Sequence, residues 1–131
     1  MVIAVLLLAG TAPTAAGCAK QATLVDHCRE IHGRLQGTNG SPGIRIWVIG
    51  TKRVLGVAGD EGAELLPPSL RRRITSEATV YGDFRVCPVT RAKLGEMQMV
   101  CVDAGRRLVE EERGGPDSSG KLRRLPDVPQ E

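Results

Sequence analysis

Aromatic residues are nearly absent from this chain of 131 residues, which contains one Trp, one Tyr and one Phe. Aliphatic side chains must therefore fill most of any core. The scarcity also argues against an oligonucleotide-binding surface, because single-stranded nucleic acid is held by aromatic rings along a basic groove. The 18 Lys and Arg exceed the 15 Asp and Glu only mildly. We therefore expect no nucleic-acid partner.

Histidine is equally scarce, with His27 and His32 as the only two in the chain. Nucleophilic catalysis needs a Ser or Cys that a neighbouring base activates, and no serine lies in a nucleophile-elbow motif. The sequence therefore predicts no catalytic residue, and both histidines are interpreted as exposed surface residues.

The leading apolar run, residues 2–9, is too short to cross a bilayer. Small residues follow it, which is the layout of a secretory signal peptide, here residues 1–17. The run from Thr14 to Cys18 resembles the pattern at which bacterial lipoproteins are cut and lipidated. We therefore expect Cys18 to be lipidated, its acyl chains anchoring the protein in the membrane without a spanning helix.

This lipid anchor predicts a location in the bacterial cell envelope, facing the periplasm. The residue after the cysteine is Ala19, and in this respect the sequence resembles lipoproteins that are transported to the outer membrane. Cleavage by ordinary signal peptidase after Ala16 or Ala19 is the alternative, and its product is soluble in the periplasm or secreted. In a third interpretation the apolar segment is a buried first strand or helix of a cytosolic protein.

Four cysteines in a chain of this length favour an oxidising compartment. Cys87 and Cys101 each lie inside an apolar run, and we expect a disulfide between them that joins neighbouring strands. Lipidation of Cys18 leaves Cys28 without a partner, whereas retention of Cys18 with a free thiol permits two bridges.

The remaining chain divides into a linker at residues 18–25, one small β domain at 26–113 and a disordered tail at 114–131. Alternating and apolar segments predict strands at residues 26–36, 44–49, 53–57, 83–89 and 97–102. The segment from Gly105 to Arg113 is either a strand extension or a fraying helix. Proline at positions 67 and 68 predicts a short helix over residues 69–74.

Three strands, a helix and two strands follow one another in the order of the OB-fold. We therefore expect a mainly β protein, either a small five-stranded OB-like barrel or a compact β-sandwich, with one short helix.

The leading functional hypothesis is a non-enzymatic binding or structural module of the cell envelope. Arg45, Trp47 and Arg53 form its predicted contact surface, because arginine binds anions through its planar fork and lies here beside the single Trp. The partner is then an envelope protein or an anionic ligand. An exposed Trp47 favours binding, and a buried one makes it a core residue.

Two other functions stay open. A small secreted enzyme or metal-binding protein would use His27, His32 and nearby carboxylates, although the spacing of the cysteines and histidines matches no known zinc motif. We therefore expect no metal and no cofactor. The other alternative, an oligonucleotide-binding barrel, predicts an affinity that falls steeply with salt.

Several short motifs, spread over residues 28–102, resemble a group of small exported proteobacterial proteins. They are His32-Gly33-Arg34-Leu35, Asn39-Gly40, Arg45-Ile46-Trp47, Val48 to Arg53, Leu55-Gly56-Val57, Gly82 to Pro88 and Val100-Cys101. The resemblance implies a single exported domain and carries no activity to specific residues.

Overall fold

The computed structural model describes residues 18, 24–60, 63–74, 78–112 and 120–130. These residues form eight strands and one short helix. In chain order they are β1 (Arg29–Gly37), β2 (Ile44–Val48), β3 (Val54–Val57), β4 (Gly59–Asp60), β5 (Ala63–Glu64), α1 (Pro68–Arg71), β6 (Ala78–Pro88), β7 (Met99–Glu112) and β8 (Lys121–Arg124). The prediction of a mainly β protein with one short helix is confirmed.

The strands hydrogen-bond in a ring. β1 pairs antiparallel with β2 and β6, β2 pairs with β3, and β6 pairs with β7. The ring closes through a parallel pairing of β3 with β7, at Gly56 with Met99 and Val57 with Val100. With α1 between β3 and β6, this arrangement is compatible with either predicted form, a small β-barrel or a compact β-sandwich.

The core lies inside the ring and is almost wholly aliphatic. Strand side chains alternate between the two faces, so Leu35 of β1 and Ile46 of β2 point inward and are fully buried. Phe84 is the one aromatic residue of this core. Leu70 of α1 and Ile74 just beyond it are buried in the same cluster, so the helix covers the core as its apolar pair predicts.

Several predicted boundaries were wrong. β1 begins at Arg29 rather than Asp26, and β6 begins at Ala78 rather than Asp83. The segment after Gly105 extends β7 as a strand to Glu112. The additional residues are held as strand by extended hydrogen-bonded ladders between β1 and β6 and between β6 and β7. Local sequence patterns do not reveal such pairing, because the partner strands are distant in the chain.

A β-bulge interrupts the pairing of β6 with β7. A Cβ atom on Gly82 would lie 2.6 Å from Leu108 Cδ2 and 3.0 Å from the carbonyl oxygen of Arg106, so any larger residue there would force its neighbours to shift. Arg107, on the opposite strand, has a φ of 52°. The left-handed backbone at Arg107 redirects its side chain toward Asp83, whose carboxylate it binds.

Residues 114–131 were predicted to form a disordered tail. This prediction was wrong for residues 120–130, the part of the range that the structure describes. β8 pairs with the second half of β7, and Leu125 is 7% exposed in the main core. The backbone N–H groups of Gly105 and Val128 each donate to the other residue's carbonyl oxygen. The many Pro and charged residues of this C-terminal segment suggested disorder, but its apolar residues Leu125 and Val128 pack against the ring of strands.

Two disulfides join the N-terminal segment to the outer side of β6 and β7, Cys18 to Cys101 and Cys28 to Cys87. The predicted bridge between Cys87 and Cys101 was therefore wrong. Those two residues are cross-strand neighbours, but each bonds to a cysteine that precedes β1. The four cysteines and Leu65 form a second apolar cluster.

The disulfide of Cys18 also contradicts the predicted lipid anchor, because one sulfur atom cannot hold both a disulfide and a thioether-linked lipid. Cys18 is 1% exposed, and Leu24, within the predicted linker, packs against the disulfide cluster. The predicted signal peptide, residues 1–17, lies outside the described residues.

Two disulfides indicate an oxidising environment outside the cytoplasm. Among the described residues, no helix is long and apolar enough to span a membrane.

Candidate functional site

The candidate site lies on the outer face of the sheet, formed by side chains that point away from the core. Arg34 of β1 lies opposite Tyr81 of β6 on one side and opposite Trp47 of β2 on the other. Trp47 in turn lies opposite Val54 of β3. Tyr81, Arg34, Trp47 and Val54 therefore form a line across four strands, which we name the outer row.

Arg34 and Tyr81 form a cation–π pair within the outer row. The guanidinium carbon of Arg34 lies 5.8 Å from the centre of the Tyr81 ring. Such a contact favours a defined orientation of the planar guanidinium. The structure thus holds a cation in place over Tyr81, at the β1 position that pairs with Trp47.

Trp47 is half-buried, and its indole N–H donates to the carbonyl oxygen of Thr51 at 2.7 Å. Thr51 itself is fixed by the β2–β3 turn, because its hydroxyl donates to the Val48 carbonyl and accepts from the Arg53 N–H. The indole is therefore oriented by the turn, and its N–H is already used. What Trp47 offers to a ligand is ring surface.

The predicted contact residues share this region but diverge from one another. Arg45 and Trp47 both point outward from β2, and the Arg45 Nη2 atom donates to the Ser41 carbonyl oxygen at 3.5 Å. Arg53, next to the β2–β3 turn, donates to the Gln98 side chain. Trp47 thus lies between two arginines that lean toward different loops.

A groove of about 740 Å³ continues from the outer row. It runs between the β2–β3 turn and the connection that precedes β7. Its walls include Lys52, Arg53 and Val54 on one side and Leu94 and Glu96 on the other. We name it the turn groove. With Lys93, three of the four charged residues that line it are cations.

Three buried polar atoms of this face have no hydrogen-bond partner among the described residues: Arg34 Nε, Arg45 Nε and Thr79 Oγ1. Thr79 lies beside the outer row on β6, opposite Gln36, and is 8% exposed. A buried polar atom without a partner costs about 1–3 kcal/mol. All three atoms are enclosed by neighbouring protein atoms, so they do not offer hydrogen bonds to a ligand at the surface.

Arg29 is a further cation near Arg53, although its strand position pairs with buried Val86 and not with the outer row. The pKa of Arg29, at the start of β1, is lowered by desolvation and then by the charge of Arg53, against a smaller opposing effect of Asp26. The effect of Arg53 on Arg29 shows that the two cations lie close enough to interact. An anion bound there would relieve their repulsion.

The sequence did not indicate Arg34 or Tyr81 as site residues. β1 carries no clean alternation, because Gly33 occupies an inward position, and the predicted fourth strand began after Tyr81. The β-forming residues from Thr79 to Tyr81 were the available indication that this strand begins earlier.

Asp83 forms a second charged cluster beside the outer row. It is buried, and its carboxylate binds Arg107 of β7 and, at 2.9 Å, the Nδ1 atom of His32 of β1. Burial alone raises the pKa of Asp83, but hydrogen bonds from Arg107 and His32, with their charges, lower that pKa overall. The cluster ties three strands together.

The residues considered for a metal site are not brought together within the described part of the chain. It contains no group of three or more His, Cys, Asp or Glu side chains that could hold a metal ion. His32 binds Asp83, whereas His27 is exposed on the segment before β1.

Comparisons with protein-family models, with curated proteins and with solved structures found no match to this chain. The resemblance to small exported proteins therefore stays a prediction.

Proposed function

We propose that this protein is an exported, non-enzymatic binding module that binds an anionic ligand on its outer row and turn groove. The observation that supports it most is the Arg34 guanidinium, which is held over Tyr81 at a strand position that pairs with Trp47. Arginine forks bind carboxylate and phosphate groups through paired hydrogen bonds.

Export is supported by the two disulfides, and the bridge to Cys18 also limits where a leader is removed. Cleavage after Ala16 keeps Cys18 in the mature chain, whereas cleavage after Ala19 removes it. The proposal is therefore a module released by signal peptidase before Cys18, soluble in the periplasm or secreted.

Trp47 is the single tryptophan of the chain, so its fluorescence reports on this face alone. We expect a saturable change in the emission of the oxidised protein when it is titrated with dextran sulfate, a general polyanion. Arg34→Gln weakens the binding about tenfold, because it removes the charged fork.

Arg72→Gln is the matched control, since it removes an exposed arginine just beyond α1. It leaves the titration unchanged. Equal binding by Arg34→Gln and Arg72→Gln, or no response of Trp47 to dextran sulfate, would contradict the proposed function.

A further inference from the structure

The outer row places a flat cation and an aromatic surface on neighbouring strands. Arg34 and Trp47 are direct partners in the antiparallel pairing of β1 with β2. Their Cα atoms are therefore about 5 Å apart, the spacing of such pairs. The Arg34 guanidinium itself lies over Tyr81 on the other neighbouring strand, so a ligand that contacts both residues must carry a negatively charged group as well as a ring that packs on the indole.

Trp47 selects for an apolar ring surface. Its N–H is used by the Thr51 carbonyl, so it cannot donate to a hydroxyl or carbonyl of a ligand without breaking that bond. The C–H face of a pyranose ring needs no donor and packs flat against an aromatic ring. This arrangement favours stacking of a sugar over recognition through the indole N–H.

We propose that the ligand is a carboxylated glycan, in which a sugar ring stacks on Trp47 and its own carboxylate accepts hydrogen bonds from Arg34. This inference rests on the proposed function and specifies its ligand class. In a uronic acid the carboxylate is attached directly to the ring, which suits two protein groups on adjacent strands.

The turn groove is large enough and positively charged enough to hold further sugar units of an acidic polysaccharide beside the one on Trp47. The groove continues from Val54, the last residue of the outer row, and is lined by Lys52 and Arg53. These cations complement further carboxylates along a linear acidic polymer. Nucleic acid, by contrast, is held by several stacking rings, and here the ring of Tyr81 is already in contact with Arg34.

The test compares three ligands by isothermal titration calorimetry with the oxidised protein. They are a short oligogalacturonate, the same oligosaccharide with its carboxylates reduced to alcohols, and an oligothymidylate. We expect the oligogalacturonate to bind, the carboxyl-reduced form to bind at least about tenfold more weakly, and the oligothymidylate to bind more weakly than the oligogalacturonate.

Stronger binding of oligothymidylate would replace the glycan with a nucleic acid. Equal binding of the reduced oligosaccharide would remove the role of the carboxylate. If dextran sulfate binds and oligogalacturonate does not, the glycan is excluded while the proposed function stands. If no polyanion binds, both proposals are wrong.

Variants of Trp47 test whether the sugar stacks on its ring, and variants of Tyr81 test whether its ring positions Arg34 for hydrogen bonding to the ligand. Trp47→Phe keeps an aromatic surface and is expected to retain most of the affinity for oligogalacturonate, whereas Trp47→Ala loses it. Tyr81 acts as a positioning residue, so Tyr81→Phe retains binding and Tyr81→Ala weakens it through Arg34. A Trp47→Phe protein that folds with full stability but binds as poorly as Trp47→Ala would contradict the stacking step.

Discussion

Cys87 and Cys101 lie directly opposite each other on β6 and β7, yet neither is bonded to the other. Each instead holds one cysteine of the segment that precedes β1. The two bridges therefore fasten that segment across the pair of longest strands in the sheet. The segment is part of the folded unit, and Val25 adds a backbone hydrogen bond to the Pro88 carbonyl oxygen.

The double variant Cys18→Ser, Cys101→Ser removes the longer of the two disulfide loops, whose cysteines are 83 residues apart in sequence. We expect the free energy of unfolding to fall by about 2–5 kcal/mol, since the unfolded chain regains the freedom that the bridge removes. Urea titration of the oxidised protein measures the change, with the wild type as reference.

Peptide mapping of the same variant should still find Cys28 bonded to Cys87. In the wild-type protein the map should show both bridges as they occur in the structure. A peptide that joins Cys87 to Cys101 in the native wild type would contradict the connectivity.

Asp83 is expected to make stability fall at acid pH. Its pKa in the folded protein lies below the unfolded value of about 3.9, because hydrogen bonds from Arg107 and His32 outweigh its burial. The unfolded chain therefore binds more protons, and the stabilisation present above pH 4 is lost as the pH falls through the folded-state pKa. Asp83→Asn should give a lower stability at neutral pH and a flatter decline below it.

Urea titrations from neutral pH to about pH 3 measure this slope. Asp26→Asn, which alters an exposed carboxylate before β1, is the control. An unchanged acid slope in Asp83→Asn would show that Asp83 does not contribute to acid sensitivity.

Gly82→Ala should destabilise the fold by about 1–3 kcal/mol, since the added methyl group overpacks the bulge against Leu108 and the Arg106 carbonyl. Gly40→Ala is the matched control. The nearest atom to its added methyl group is the end of the flexible Arg45 side chain, which moves at low cost. Thermal unfolding of both variants measures the difference, and equal losses would argue against the close approach at Gly82.

Leu125→Ala should cost about 2–5 kcal/mol, because the side chain is buried in the main core. Leu122→Ala serves as the paired control, since Leu122 lies three residues earlier and is 70% exposed. Urea titration should leave the control within the error of the wild type. A disordered C-terminal segment would instead give two variants of equal stability.

The β2–β3 hairpin was predictable from sequence because Ile44 and Ile46 alternate with Arg45 and Trp47 before a Gly-containing turn. The same alternation correctly placed Arg45 and Trp47 on one outward face. Local pattern was sufficient there, since both strands and their turn are contiguous in the chain.

The other half of the outer row was not predictable in this way. Arg34 and Tyr81 meet because β1 pairs with β6 across 46 intervening positions, and no local pattern specifies that register. The disulfide connectivity has the same origin, because it depends on where the N-terminal segment crosses β6 and β7. Leu125 likewise became recognisable as a core residue only once β7 supplied a partner for β8.

The two bridges are nested, with the pair formed by Cys28 and Cys87 enclosed within the pair formed by Cys18 and Cys101. A polypeptide that is translocated from its N-terminus presents Cys18 and Cys28 first, and an oxidase acting on cysteines in order of arrival joins these two. That first product is not native. For the proposed exported protein we therefore expect maturation to include thiol–disulfide exchange after Cys101 has emerged, with a yield that depends on a disulfide isomerase as well as an oxidase.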